Sequence, residues 1–293
     1  MRVVPRDDFG TWVIREPTSA IFDPQSVRQV TLPQANQFQD QFQIFFCDDL
    51  DDLEKHYFHD FSAEGVREPY RMFTGSWRTP TTMKYFGISE SAVKGDYGYV
   101  LVKLVKPKAT INIEGRPRLN EDAQQSFDRI RVGDKDSVEQ FIQNFGSHYI
   151  ETLTIGDALY QVLVLERPAY ARVKNDVLVS KRVSDFDRIY DDYLAPWLVK
   201  ENGRILVASG EPRVMDMLKE QAVKRLQFAN YPSIFEIRRQ PGIMDELEFL
   251  TADTTAVVGL NFRSLGSLLA SPHTQDFYKE IVNTELALWE ANI

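Results

Sequence analysis

Apolar and polar residues change their spacing several times along this chain, and each change marks an element. Thr11-Trp12-Val13-Ile14-Arg15 and Arg28-Gln29-Val30-Thr31-Leu32 are β-rich runs set off by Pro and Asp turn residues, and both are read as short strands. Residues 37–93 follow no sustained period; they are aromatic-rich and broken by Gly, Pro and Thr. The run Tyr97-Gly98-Tyr99-Val100-Leu101-Val102-Lys103-Leu104-Val105 then predicts a strong strand continuing toward Ile113. Lys106-Pro107 marks a bend or edge position inside it rather than its end.

A helical period follows. Asp136 and Glu139 are spaced as a capping box, after which Val138, Phe141, Ile142 and Phe145 share one face and Gly146 ends the helix. From His148 to Arg167 the residues are almost all strand formers. At roughly 3.3 Å per residue such a strand extends roughly 60 Å, far beyond the usual length, so it must bend, and Gly156 is the expected hinge. Val183, Phe186, Tyr190, Tyr193 and Leu194 return to helical spacing. Arg204–Ala208 reads as a strand, Glu211–Leu226 as a helix with Val214, Leu218, Ala222 and Leu226 as its stripe, and Ser233–Arg238 and Thr254–Phe262 as further strands. Thr274–Asn292 closes the chain as a helix with Tyr278, Ile281, Val282 and Trp289 inward. The mixture is α+β, without repeats or low-complexity tracts.

Composition narrows the function classes. The 293 residues are 43% apolar, enough for a sizeable core. Forty-three acidic against 34 basic residues leave a formal charge of −9, which works against nucleic acid or an anionic bilayer surface as the default partner. No apolar run approaches the roughly 18 to 20 residues of a spanning helix. The opening Met1–Asp8 has no apolar core of a secretory signal, the single cysteine, Cys47, excludes an intramolecular disulfide, and no Asn-x-Ser/Thr acceptor occurs.

Candidate chemistry is sparse. His56-Tyr57-Phe58-His59-Asp60 sets two imidazoles beside a carboxylate at a spacing suited to a transition metal, but with no distant third ligand it reads as an aromatic helix face. The acidic run Asp48–Glu54 lacks the glycine and ligand spacing of a calcium loop and reads as a solvated face. Gly203, Gly210 and Gly242 form no phosphate loop. Ser264–Ser271 holds no nucleophile elbow, and Cys47 has no recognisable partner, so neither an enzyme nor a cofactor is expected.

The seam Phe145-Gly146-Ser147-His148-Tyr149, between the helical pattern and the long strand, is the most specific motif in the chain. Its aromatic-Gly-Ser-His-aromatic order resembles the signature of the membrane attack complex/perforin (MACPF) superfamily. The resemblance implies a MACPF/cholesterol-dependent-cytolysin-like α+β fold: a bent, twisted, four-stranded antiparallel central sheet flanked by helical clusters. It implies a domain over 1–250 and a C-terminal extension over 251–293 that packs on it, with a terminal helix at about 274–292. In the family a glycine pair often marks the bend of the strand after the signature. Gly156 fits the first, and Asp157 stands in place of the second, restoring backbone limits that glycine would relax. The seam residues are read as structural, with His148 as a hydrogen-bonded packing residue.

In pore-forming relatives the helical clusters beside the signature strand unfurl into membrane-crossing hairpins, whose strands must alternate apolar and polar residues. Here Asp48-Asp49-Leu50-Asp51-Asp52-Leu53-Glu54-Lys55 would put carboxylates on both faces of a strand. Asp185, Asp187 and Asp191 would share one face in the second region, and Arg182, Arg188 and Asp192 the other. Insertion is therefore disfavoured. Tyr70–Phe86 is less charged and leaves a hairpin open there. Among non-lytic members, Met1–Arg6 and the Phe145–Val164 block resemble the Torso-like group of insect developmental proteins. That implies a secreted protein, with Met1 internal to a longer precursor. It also implies a role in Torso receptor tyrosine kinase signalling during embryonic terminal patterning, with a Trunk-type cystine-knot ligand and eggshell vitelline matrix proteins as partners. The alternative is a permeabilising effector that oligomerises and inserts β-hairpins.

Overall fold

The computed structural model describes residues 2–5, 12–15, 18–34, 38, 42–75, 77–179, 185–195, 198–224 and 233–291. β1 (Arg2–Pro5) and β2 (Trp12–Arg15) form a separate antiparallel pair. β3 (Arg28–Pro33), β4 (Phe42–Cys47), β5 (Phe61–Ala63), β6 (Tyr97–Glu114), β7 (His148–Glu166), β8 (Glu201–Asn202), β9 (Leu206–Ala208) and β10 (Ala256–Ser264) make one eight-stranded sheet. The two long strands are antiparallel neighbours from Tyr97 opposite Glu166 to Asn112 opposite Thr152.

The other edge of β6 is lined first by β4 and then by β3. Along the free edge of β7, β8, β9 and β10 follow one another. The sheet is thus four positions wide and antiparallel, as the resemblance implies, with each outer position divided among short strands. β5 adds a further position, parallel to β10.

The nearly continuous apolar runs of β6 and β7 have a packing cause: both faces of their paired upper halves are buried. Val100, Val102, Leu104, Leu159, Leu163 and Leu165 point into one core, and Tyr99, Leu101, Tyr160, Val162 and Val164 into another. On the second face lie α1 (Leu50–Tyr57), α3 (Thr79–Phe86) and α4 (Ser91–Lys94), with the short α2 (Arg71–Thr74) between them in sequence. α5 (Glu121–Asp128) and α6 (Lys135–Phe145) precede β7. The first face is covered by α7 (Arg167–Val179), α8 (Phe186–Ile189) with the π-helical turn Tyr190–Leu194, α9 (Arg213–Lys224), α10 (Ile234–Arg238) and α11 (Pro241–Leu250). A third core joins α5 and α6 to α12 (Pro272–Ala291) through Phe127, Phe141, Tyr278, Leu286 and Trp289.

Several expectations are corrected by local hydrogen bonding. Ser233–Arg238 is not a strand but α10, because the Ser233 hydroxyl accepts from Phe235 N while the Glu236 carboxylate accepts from Ser233 N at 3.2 Å. That reciprocal cap outweighs the apolar alternation of five residues. α6 begins two residues earlier than expected. Asp134, not Asp136, caps it by accepting from Ser137 N, and Glu139 pairs with Lys135 instead of reaching back.

Residues 251–293, expected as an extension, supply β10 to the sheet itself, so a boundary at 250 runs between elements that share one ladder. Thr11, Arg182, Val183, Leu226 and Asn292 fall outside the described residues. Among the described residues no helix is long and apolar enough to cross a membrane.

Candidate functional site

The seam is built by the end of α6. Gly146 takes φ 82° and ψ 176° while its N–H donates to Ile142 C=O at 2.8 Å, a conformation that glycine alone adopts without strain. The turn buries Ser147 and His148 and points Phe145 into the α5–α6–α12 core. His148 Nε2 lies 2.7 Å from Glu64 C=O, and Nδ1 lies 2.8 Å from Ser147 Oγ. A carbonyl only accepts, so Nε2 carries the proton and Nδ1 accepts from the hydroxyl. Burial holds the imidazole below the usual histidine range, which keeps it neutral.

Other hydrogen bonds draw four segments to this point. Ser147 C=O accepts from Leu265 N at 2.9 Å and from the Tyr278 hydroxyl at 3.5 Å. Glu64 N donates to Phe262 C=O, and the Glu64 carboxylate accepts from Ser264 N at 3.0 Å. Tyr149 is half-buried, edge-on to Phe22 at 5.2 Å. The residues predicted from the motif are therefore brought together, as a fastening of β5, β10 and α12 to the start of β7.

Gly156, the expected hinge, stands beside an irregularity of the ladder. The register of β6 against β7 slips between Pro107 and Ala109, leaving Lys108 as the extra residue opposite Gly156 and Ile155. A Cβ at Gly156 would stand 2.3 Å from Lys106 O and 2.8 Å from Pro107 Cα. Here glycine serves close backbone approach. Asp157 is buried; Lys108 Nζ pairs with its carboxylate at 2.9 Å, and Ser209 Oγ donates to it at 2.5 Å. Lys108 also donates to Thr251 C=O and Thr254 C=O, beyond the end of α11. The residue replacing the second glycine thus ties β7 to the slipped residue of β6 and to Ser209.

Two sets of ion pairs hold the helical clusters down. Asp48, between β4 and α1, accepts from Lys174 at 2.8 Å on both oxygens and from the Tyr170 hydroxyl at 2.8 Å. Arg167 donates to the Asp48 carbonyl at 2.9 Å and pairs with Asp96 at 3.1 Å. These contacts bridge the first cluster to α7. Lys174 and Tyr170 hold the Asp48 carboxyl below the usual range.

In the second set Arg239 binds both oxygens of Asp191 at 2.7 and 2.9 Å, and Arg238 and Arg239 reach Asp187 at 2.7 and 3.0 Å. The bidentate geometry fixes α8 on α10. Of the predicted helical stripe, Tyr190 and Leu194 are buried and Phe186 and Tyr193 partly so, while Ile189, outside that stripe, is buried with them.

Some charged residues at these sites went unrecognised in the sequence. Lys103 is fully buried, 3.4 Å from Asp60 and over the Phe45 ring at 5.0 Å, and burial pushes its amine down. Its signal was a single charge inside the run Val100–Leu104. Glu285 occupies the inward stripe of α12 among Ile281, Val282 and Trp289, facing Glu139 and Lys135 of α6. Burial first, then Glu139, raise its carboxyl to about 7.

The unfolded carboxyl titrates near 4.3, so the folded state holds the extra proton between these values, and the stability from Glu285 is lost as pH rises through them. Glu285→Gln is accordingly expected to gain on the order of 2 kcal/mol at about pH 8 and nothing at about pH 4. Thermal melts at both values check it, and an equal gain at both would sink this account.

No family model and no curated protein matches the sequence. Among solved structures, GNIP1Aa from Chromobacterium piscinae superposes with a TM-score of 0.50 at 10% identity, covering 88% of this chain and 46% of its own. A protein named for cell invasion, with a MAC/Perforin domain, from Bacteroides thetaiotaomicron aligns at TM-score 0.41 and 9% identity, covering 88% and 52%. Astrotactin-2, a vertebrate-specific perforin-like membrane protein involved in neuronal development, aligns at 0.40 and 11%, covering 90% and 41%. The chain spans about half the length of these structures. The likeness to GNIP1Aa, at 10% identity, shows that the two proteins share a fold over most of this chain, in which the seam opens the longer of the two central strands.

Proposed function

We propose that the chain acts as a folded MACPF module through protein–protein contacts, without inserting hairpins into a bilayer. The observation that carries this reading is the pair of fastenings, the Asp48 carboxylate with Lys174 and its carbonyl with Arg167, and Asp187 and Asp191 with Arg238 and Arg239. Releasing α7 and α8 as strands breaks both, then carries Arg172, Lys174, Asp187, Arg188 and Asp191 toward the hydrocarbon. Each basic residue at the midplane costs about 2 to 4 kcal/mol. Ala171, Val173, Val177 and Val179 would alternate with Arg172 and Lys174 in a strand made from α7, but the stretch from Asp185 to Asp192 would carry charge on both of its faces.

The finer form of the proposal is an extracellular role in receptor tyrosine kinase signalling during embryonic patterning. It rests on the resemblance of Phe145–Val164 and Met1–Arg6 to the Torso-like group. Liposomes loaded with a self-quenching dye test the coarser reading: no release is expected at submicromolar protein, on neutral or anionic vesicles. Leakage accompanied by rings in negative stain overturns it in favour of a permeabilising protein. Co-precipitation with a purified Trunk-type ligand tests the finer form separately.

A further inference from the structure

Cys47, Asp52 and His56 converge under the first helical cluster. Cys47 ends β4 opposite Tyr99 and is fully buried on the sheet face that α1 covers. Asp52 and His56 stand one turn apart on α1, so their side chains leave the same face of the helix. The ligand atoms, one thiol sulfur, one carboxylate oxygen and one imidazole nitrogen, all lie within 4.8 Å of one another.

The two helix residues are already oriented. His56 Nδ1 is 2.8 Å from Asp52 C=O and 3.2 Å from Asp52 Oδ1, and the Phe45 ring lies against the imidazole at 5.1 Å. The second Asp52 oxygen accepts from Asp48 N at 3.1 Å. His59, which shared a motif with His56 in the sequence, turns instead to Asp60 at 3.2 Å.

We propose that Cys47, Asp52 and His56 bind one divalent transition-metal ion, with Zn²⁺ the ion that fits their donor set and water as the fourth ligand. A mixed sulfur, nitrogen and oxygen set excludes calcium and magnesium, which take oxygen ligands, and suits a tetrahedral borderline ion. Ligands of tetrahedral zinc stand about 3.5 Å apart, so side-chain rotations that draw the three atoms in by about 1 Å complete the site. Binding releases the thiol proton to solvent: Cys47–SH and Zn²⁺ give Cys47–S–Zn⁺ and H⁺. One thiolate, one carboxylate and one neutral imidazole then balance the two charges of the ion, and no net charge is buried. Asp52 and His56 are part-exposed, which gives the ion its path to the thiol. The bound ion would join β4 to α1 and pin the first cluster to the sheet.

Titration of chelator-stripped full-length protein with Co²⁺ alone tests this. One equivalent is expected to give a sulfur-to-cobalt charge-transfer band in the near ultraviolet with strong visible bands of four-coordination, both bleached by Zn²⁺. Cys47→Ser is expected to abolish the charge-transfer band. His56→Gln keeps it and weakens affinity by about tenfold or more, while His59→Gln leaves affinity unchanged. A protein that gives no saturable cobalt spectrum overturns the proposal, and so does a band that survives Cys47→Ser. If Cys47→Ser does not fold, the part-exposed His56→Gln decides alone: unchanged affinity there overturns the site.

Discussion

Gly156→Ala is expected to lower stability by about 3 kcal/mol and the melting temperature by about 5 °C. The added methyl group would meet the Lys106 carbonyl at 2.3 Å, and both atoms belong to paired backbone, so no side-chain rotation relieves the overlap. The two long strands must move apart at the slip between Pro107 and Ala109, which loosens the ladder on both sides. Gly242→Ala is the matched control, since nothing lies within 4 Å of a Cβ there. Differential scanning calorimetry of the two variants measures the difference. A Gly156→Ala protein melting with the wild type would show that close approach at the bend is not what requires glycine.

His148→Ala is expected to cost a similar amount, about 3 kcal/mol, by leaving the Glu64 carbonyl and the Ser147 hydroxyl without the imidazole in a buried setting. A pH profile separates this from mere loss of volume. The imidazole titrates lower when folded than the usual value of about 6.5, so its contribution is present above that value and is lost as pH falls through it. The wild-type protein therefore loses stability on mild acidification that His148→Ala does not share. Denaturant melts across that range check it, and parallel curves for the two proteins would remove the buried neutral histidine from the explanation. Glu285 works in the opposite direction, since its contribution is lost as pH rises toward about 7.

Much of this fold was legible in the sequence, because its two longest elements carry long-range signals. β6 and β7 are apolar over more residues than any short element, and β6 runs through Lys106-Pro107 as its pattern indicated. β4 escaped notice in an aromatic stretch, since Phe42–Cys47 is short and its partner strand lies about fifty residues away. Likewise α7 follows β7 directly at Glu166–Arg167, and Pro168 in its first turn is the one local mark of where one period yields to the other. At the seam, residue types and turn geometry were local properties, readable at Gly146 and Phe145. The seam's distant partners were not: the Glu64 carbonyl meets His148 and the Leu265 N–H meets the Ser147 carbonyl, through backbone groups that carry no sequence identity.

Lys108 gives the curvature of the sheet a wider meaning. Its ammonium sits in the slip of β6, touches Asp157 of β7, and is held by carbonyls at Thr251 and Thr254, just before the chain enters β10. Straightening the two long strands would therefore pull on the link between α11 and β10, and through β10 on the helix that follows. A fragment ending at residue 250 would keep both long strands and lose the support against which they are bent. In this protein the shape of two strands is a property of the whole chain.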